Sequence, residues 1–333
     1  MTVLFTCIGR RVSLLESFRR AARELKLDAL FFGTDRTELS SALQLCDKRF
    51  LVKPTTHPGY IAELLSIIKA NKVKLLVPTV DLDLKALARN KAKFAAAGCR
   101  VLVSDPHVID ICQDKRKTYK FLLQNNFDTP TTLNIQTALR NPRNRKSKIV
   151  NRKSQTRFPL FVKPWDGYAS RGNAIVKNRQ ELLFYSQRIP NAICQELVRG
   201  AEHTCDVYVD FNMKVRCVVP RRRIETRAGE VSKGQTVKDR RIMAKAASLV
   251  EKLGAGPGVI ALQLFATDDD KIKFIEINPR FGGGAPLSIK AGANFPKWIL
   301  QGLTGRKPAI RPDAFKDNLI MLRYDSEVWL EGS

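Results

Sequence analysis

Along the first hundred residues, short apolar runs alternate with stretches whose apolar positions fall three and four apart. Residues 3–8 are apolar and end at Gly9; Leu14, Leu15, Phe18, Ala21, Ala22 and Leu25 then trace one helix face. Strand-like runs at 29–35, 49–53, 75–80 and 100–104 follow, with helices predicted over 58–72 and 84–97. Strands separated by amphipathic helices specify a parallel sheet covered on both faces, because parallel neighbours need long crossovers. A further helix is predicted over 108–126, with Asp114 and Lys115 at its middle, and the chain extends at Pro130. The pattern then changes: runs at 192–198, 203–211 and 214–225 read as antiparallel strands. A helix over 238–253, another around Trp298 and an extended run at 319–325 complete the pattern.

Residues 261–284, ALQLFATDDDKIKFIEINPRFGGG, read as two strands joined by an acidic turn and running out into glycines. A symmetric turn centred between Asp269 and Asp270 sets Gln263 opposite Glu276, and alternation puts Asn278 on the same face. Three oxygen donors beside Arg280 are what Mg²⁺ with a phosphate requires. An ordinary hairpin with a polar outer face is the alternative these residues leave open. Residues 158–172, FPLFVKPWDGYASRG, place Lys163 at a strand end before a loop of small residues. Gly167, Ala169, Ser170 and Gly172 let backbone N–H groups approach phosphate oxygens, and Lys163 neutralises them. Here a plain β-hairpin is the alternative.

Composition changes this picture in a few places. A chain of 333 residues with 44% hydrophobic content supports two or three domains with proper cores. No apolar run is long enough to span a bilayer, so no membrane partner is expected. The opening MTVLFTCIGRRV reverses the charge order of a signal peptide, and seven cysteines stand without a C-x-x-C pair. Reduced thiols and a cytoplasmic protein are the expectation. A net charge of +26 invites nucleic acid as a partner, yet residues 140–157 hold only eight of the 58 Lys and Arg, and no zinc finger or RNA-binding signature supports it. Spread charge of this kind can instead concentrate anionic substrates. A single glycine in C-I-G-R-R-V argues against a dinucleotide fingerprint after the first strand, and no P-loop occurs. Arg221, Arg222, Arg223 and Lys233 supply guanidinium and ammonium groups in one stretch. Alternation puts Arg221 and Arg223 on one strand face, where they could hold a substrate carboxylate or its acyl phosphate; a basic edge strand facing water is the alternative.

The order of these blocks resembles the ATP-grasp superfamily, and within it the short proteins similar to the carbamoyl-phosphate synthase large subunit. The resemblance runs over nearly the whole chain, through GRRV, GTD, the Asp114-Lys115 pair, FPLFVKP with its DG-AS-G loop, QELV-GAEHTCDV, VVPRRRIETRAGEVSKG and EINPRFGGG. It implies an N-terminal Rossmann-like α/β domain over 1–110 and a two-subdomain ATP-grasp fold, an α/β plus α+β architecture. The small subdomain would take 111–200 with a linker helix, and the large subdomain 201–333 with a C-terminal extension. The resemblance assigns Lys115 and Lys163 to the phosphates of ATP, with Lys163 also catalytic, and residues 167–172 to a lid. Gln195, Glu196, Leu197 and Val198 would bind the adenine edge, and Glu202 the ribose. Gln263, Glu276 and Asn278 would hold Mg²⁺ (or Mn²⁺), and Arg280 would stabilise the transferred phosphoryl group. The implied reaction joins a small-molecule carboxylate to an amine through an acyl phosphate, releasing ADP and phosphate, in a homodimer. Two alternatives stay open: phosphoryl transfer to a small carboxylate or carbamate, and an ATP-binding, nucleic-acid-associated protein without ligase activity. No histidine is assigned a catalytic role. Trp165, Tyr168 and Arg171 bring bulk and charge to the lid, and a single copy without internal repeat implies that complete carbamoyl phosphate synthesis would need two cooperating chains.

Overall fold

The computed structural model describes residues 1–140, 158–167 and 172–331. The basic stretch beyond residue 140 and the lid residues Tyr168, Ala169, Ser170 and Arg171 therefore lie outside the described residues.

Five strands, β1 (Thr2–Thr6), β2 (Leu30–Asp35), β3 (Lys48–Leu51), β4 (Val73–Pro78) and β5 (Arg100–Val101), form a parallel sheet in the order β3-β2-β1-β4-β5. Order reverses between β1 and β4, so the segments leaving those two strands diverge and open a crevice. Four strands, β6 (Thr132–Asn134), β7 (Leu160–Pro164), β8 (Ala174–Val176) and β9 (Ala192–Glu196), make an antiparallel sheet in the order β6-β9-β7-β8. Six more, β10 (Ala201–Val209), β11 (Val215–Arg227), β12 (Glu230–Thr236), β13 (Gly258–Ala266), β14 (Ile272–Asn278) and β15 (Ile320–Leu322), pair antiparallel as β14-β13-β10-β11-β12-β15. A parallel-sheet domain followed by antiparallel subdomains is the architecture expected from the sequence. Among the described residues no helix is long and apolar enough to cross a membrane.

The cores show which units are packed as one. One apolar cluster runs from Phe5 and Phe18 in the first domain to Tyr208, Phe281, Phe295 and Trp298. The N-terminal domain and the six-stranded sheet therefore share one interior, and separating them would expose aromatic surface at a cost of about 2 kcal/mol per large side chain. The four-stranded sheet packs a small core of its own around Leu160, Val162, Leu182 and Cys194.

Local chemistry corrects two sequence expectations. The helix expected over 108–126 is two helices, Pro106–Cys112 and Lys115–Gln124. Asp114 breaks it by capping the second, accepting from the backbone N–H of Arg116 at 2.9 Å and of Lys117 at 3.4 Å. Lys115 is thus a first-turn residue rather than a mid-helix one. Helix Lys115–Gln124, grouped by sequence with the small subdomain, buries Leu122 in the core of the six-stranded sheet. The helix expected over 84–97 is interrupted at Asn90, which ends Leu84–Arg89 and precedes Lys91–Ala96. In the hairpin, Gln263 does face Glu276, although the turn is not symmetric about that pair. Ala266 pairs with Ile272 and Leu264 with Phe274, and one extra residue on β14, Ile275, brings Glu276 opposite Gln263.

Candidate active site

The concave face of the six-stranded sheet and the facing strands of the four-stranded sheet enclose a cavity of about 630 Å³, well within the range of small-molecule sites. Alternation decides which side chains reach it. Register aligns Glu276, Gln263, Thr204 and Arg221 as neighbours across β14, β13, β10 and β11, and aligned residues share a face. All four line the cavity, together with Glu202, Arg223 and Asn278 two residues along their strands. The intervening residues Cys205, Leu262, Leu264, Phe274 and Ile277 fill the core behind. On the opposite wall β7 sends Phe161 and Lys163 into the cavity and Leu160 and Val162 into its own core.

Lys163 is only 6% exposed, and that burial lowers its pKa to about 8. Glu276 pulls it back up, while Lys115 pushes it further down. Lys115 donates its Nζ to the backbone carbonyl of Gly167 and its N–H to Trp165 O at 3.0 Å, tying the first turn of its helix to the segment that follows β7. The Arg116 guanidinium stacks 3.8 Å from the Trp165 ring centre, so that aromatic packs against the helix rather than lining the cavity. Gly172, at the far end of the lid, has φ +72°, a conformation that favours glycine. It does not line the cavity.

Gln195, Glu196, Leu197 and Val198 line the end where β9 passes from one sheet to the other. Gln195 is buried and donates to Thr132 Oγ1 at 2.8 Å; Glu196 pairs with Lys273 at 2.5 Å, joining the two sheets. Beside them Phe161, Ile175, Phe265 and Ile275 form an apolar slot that sequence reasoning missed. The only signal for it was strand alternation, which does not say which face meets a cavity.

The other end of the cavity is charged. Arg280 forms a bidentate pair with Asp81, its Nε 3.0 Å from Oδ1, across 199 residues of chain. Burial would lower the Arg280 pKa, but Asp81 outweighs it and the guanidinium titrates above its ordinary value. Asp81 leaves β4 and Arg10 and Arg11 leave β1, so the crevice at the strand-order reversal supplies this end. None of these three was read as a site residue. Arg223 Nε stands 3.0 Å from Glu202 as an ion pair without hydrogen-bond geometry. Burial raises the Glu202 pKa, with Arg223 opposing.

Arg221 is 1% exposed and locked onto the fully buried Asp206, Nε to Oδ2 at 2.7 Å and Nη2 to Oδ1 at 3.0 Å. Ser288 donates to the same carboxylate at 2.6 Å. The sequence expectation that Arg221 is a free hand for substrate is thus corrected: two of its nitrogens hold the sheet together. Lys233 is corrected more fully. It is exposed, pairs with Glu225 at 2.7 Å and lies outside the cavity although Val231, two residues earlier, lines it, because the β11–β12 register shifts between the two. None of the three histidines or seven cysteines lines the cavity, and all seven cysteines are unpaired.

Among the described residues no three His, Cys, Asp or Glu side chains cluster at metal-holding distance. Glu276, Gln263 and Asn278 offer one carboxylate and two amides, hard oxygen donors of the kind Mg²⁺ takes while completing its sphere with water and phosphate oxygens. The donor set fits.

Comparison with known proteins follows the same division. A family model described as "PylC-like, N-terminal domain" matches residues 3–102, and one described as "ATP-grasp domain" matches residues 112–284. A search of the curated proteins finds no match. The fold is similar to the biotin carboxylase domain of Hydrogenobacter thermophilus 2-oxoglutarate carboxylase, solved with MgADP and bicarbonate. The TM-score is 0.73 at 14% identity, over 96% of this chain and 73% of that one. It is also similar to an L-amino acid ligase from Bacillus licheniformis, with TM-score 0.68 at 17% identity over 93% and 77% of the two chains. N5-carboxyaminoimidazole ribonucleotide synthetase from Thermotoga maritima gives TM-score 0.62 at 17% identity over the same shares. With an ATP-grasp domain matched over more than half of its length, the chain belongs to the ATP-grasp family.

Proposed function

We propose that the chain is a cytoplasmic, homodimeric ATP-dependent ligase that joins a small-molecule carboxylate to an amine. The observation that carries this reading is the row Glu276, Gln263, Thr204, Arg221 along one wall of a single cavity. It leads from oxygen donors beneath Lys163 to a floor rich in guanidinium groups. Such a cavity has room for a nucleotide at one end and a second, anionic substrate at the other.

Residues 195–198 and the apolar slot receive the adenine, Glu202 the ribose, and Lys115 and Lys163 the phosphates. Gln263, Glu276 and Asn278 hold Mg²⁺ or Mn²⁺, which when bound neutralises phosphate charge. The substrate carboxylate attacks the γ-phosphorus of ATP; a C–O–P link forms, the bond to ADP breaks, and an acyl phosphate results. Catalysis of this step rests on alignment and charge neutralisation. Arg280, held in place by Asp81, faces the charge that spreads over the moving phosphoryl oxygens. An amine in its free-base form then attacks the acyl carbon, the C–N bond forms, and phosphate leaves carrying the amine's proton. No histidine or cysteine is needed for either step, in keeping with a cavity lined by neither. Arg223 and the floor arginines position the substrates.

The test is ADP release from the purified chain against a panel of carboxylates paired with amines, with products weighed by mass spectrometry. Substrate-dependent ADP release with an amide product is the expected result. A phosphorylated product without an amide bond would reassign the chemistry to phosphoryl transfer, and no stimulation across a broad panel would sink the reading. Sedimentation at twice the chain mass tests the dimer.

A further inference from the structure

The floor of the cavity carries more guanidinium than it neutralises. Glu230, at the tip of the β11–β12 hairpin, receives arginines from two distant segments. Arg11 Nη1 stands at 2.9 Å and Arg10 Nη2 at 3.4 Å, both from the loop after β1, and Arg323 Nη1 reaches it at 3.1 Å from beyond β15. Burial would raise the Glu230 pKa, yet the three arginines hold it below the usual carboxylate range. Burial also lowers the Arg11 pKa against the pull of Glu230, as expected of a cation enclosed with too little counter-charge. A further guanidinium points the same way: Nη1 of Arg221 is buried with no hydrogen-bond partner among the described residues.

The glycines after Arg280 record how tightly these groups converge. A Cβ on Gly283 would stand 2.8 Å from Arg11 Nη1 and 3.0 Å from Glu230 Oε2, and a Cβ on Gly284 only 2.1 Å from Arg221 Nη1. Neither glycine has a left-handed φ, so it is room for charged head groups, not backbone conformation, that excludes a side chain here.

The partners differ in how firmly they are held. Arg11 precedes helix Val12–Glu24 at its N-cap, and Arg323 also donates to the carbonyls of Gly283 and Val231 at 3.0 and 3.4 Å. Glu230 follows a turn of two left-handed residues, Ala228 (φ 50°) and Gly229 (φ 77°), on a hairpin end outside the core. Among the described residues it is the only carboxylate on Arg10 and Arg11. Glu230 stands at the turn just before the buried Val231, so its side chain can swing away by rotamer change, whereas Arg11 is anchored through its helix and Arg323 through two carbonyls.

We infer that this floor is a binding site for a substrate carboxylate other than the one that is phosphorylated, and that Glu230 occupies its place until substrate arrives. Arg10 and Arg11 receive the incoming carboxylate, the free Nη1 of Arg221 lies alongside, and Glu230 gives way. The inference rests on the ligase reading for what the carboxylate belongs to: a dicarboxylic donor, or an amino-acid acceptor whose amine is the nucleophile.

Titration calorimetry of the full chain with succinate and, separately, with L-alanine tests it on wild type, Glu230→Gln and Arg11→Gln. Removing the resident charge should tighten one of the two probes by about tenfold in Glu230→Gln, and removing a guanidinium should weaken that probe by a similar factor in Arg11→Gln. A succinate response assigns the site to the donor, an alanine response to the acceptor. No tightening of either probe in Glu230→Gln, no saturable binding to it, or undiminished binding to Arg11→Gln would overturn the inference. Should Glu230→Gln fail to fold by circular dichroism, the Arg11→Gln comparison decides alone. MgADP titrated into the same proteins separates the two readings. Failure of wild type to bind it would count against the ligase and leave the carboxylate result standing.

Discussion

The two ends of the cavity are built on different principles. At the end lined by residues 195–198, an apolar slot lies between two sheets with separate cores. At the floor, arginines and carboxylates from residues as far apart as Arg11 and Arg323 meet over a core shared by two domains. The first end lies between two separate cores, whereas at the second the arginines stand over one shared core and Glu230 is the group proposed to yield. Nucleotide affinity should therefore respond to the small sheet that roofs the first end, and choice of the second carboxylate to the floor.

The sharpest way to break this division is Glu276→Ala. Removing the one carboxylate among the oxygen donors should lower substrate-dependent ADP release on the order of a thousandfold, with the circular dichroism spectrum unchanged. Wild-type turnover in that variant would remove the nucleotide end from the reading. On the floor, Asp206→Ala leaves Arg221 buried and unpaired and should cost about 3 to 5 kcal/mol in urea unfolding. A smaller loss would mean that water reaches the pair. Asp81→Asn keeps shape but weakens the hold on Arg280; kcat should fall about 10- to 100-fold with little change in nucleotide Kd. An equal loss in nucleotide binding would show that the ends are not independent.

Titration of Lys163 sharpens the roof. With its pKa lowered to about 8 in the free protein, the ammonium is charged below that pH, and bound phosphates favour the charged form. Nucleotide Kd should stay flat below pH 8 and rise above it, by up to about tenfold per unit, and Lys163→Arg should flatten the curve. Affinity that improved with rising pH would have the sign wrong. The smallest effect is expected at Lys233→Ala, which breaks an exposed pair. Stability should change by no more than about 0.5 kcal/mol, with substrate KM untouched; a raised KM would bring that side chain back to the site.

The groups around Lys163 and the β13–β14 hairpin were legible in sequence because their spacing is local. Lys163 and its glycine loop lie within ten residues of each other, and Gln263, Glu276 and Asn278 sit on one hairpin whose pairing follows from strand alternation. Even there the register came out right only because an extra residue, Ile275, offsets an asymmetric turn. The apolar slot was illegible, since Phe161 and Phe265 read as ordinary strand positions. Arg221 and Arg223 were correctly put on one face by the same alternation, but their partners Asp206 and Glu202 lie on another strand, and so their commitments could not be read.

The sequence by itself determined the parallel and antiparallel halves, the order of the blocks and which polar side chains share a face of the β13–β14 hairpin, because periodicity and short-range spacing are properties of neighbouring residues. Tertiary structure alone decided that Asp81 meets Arg280, that Arg11 meets Glu230, and that Lys233 turns away. Those pairings depend on where a strand-order reversal in one domain is set against a hairpin tip in another. Charge carries no record of its partner until the chain has closed on itself.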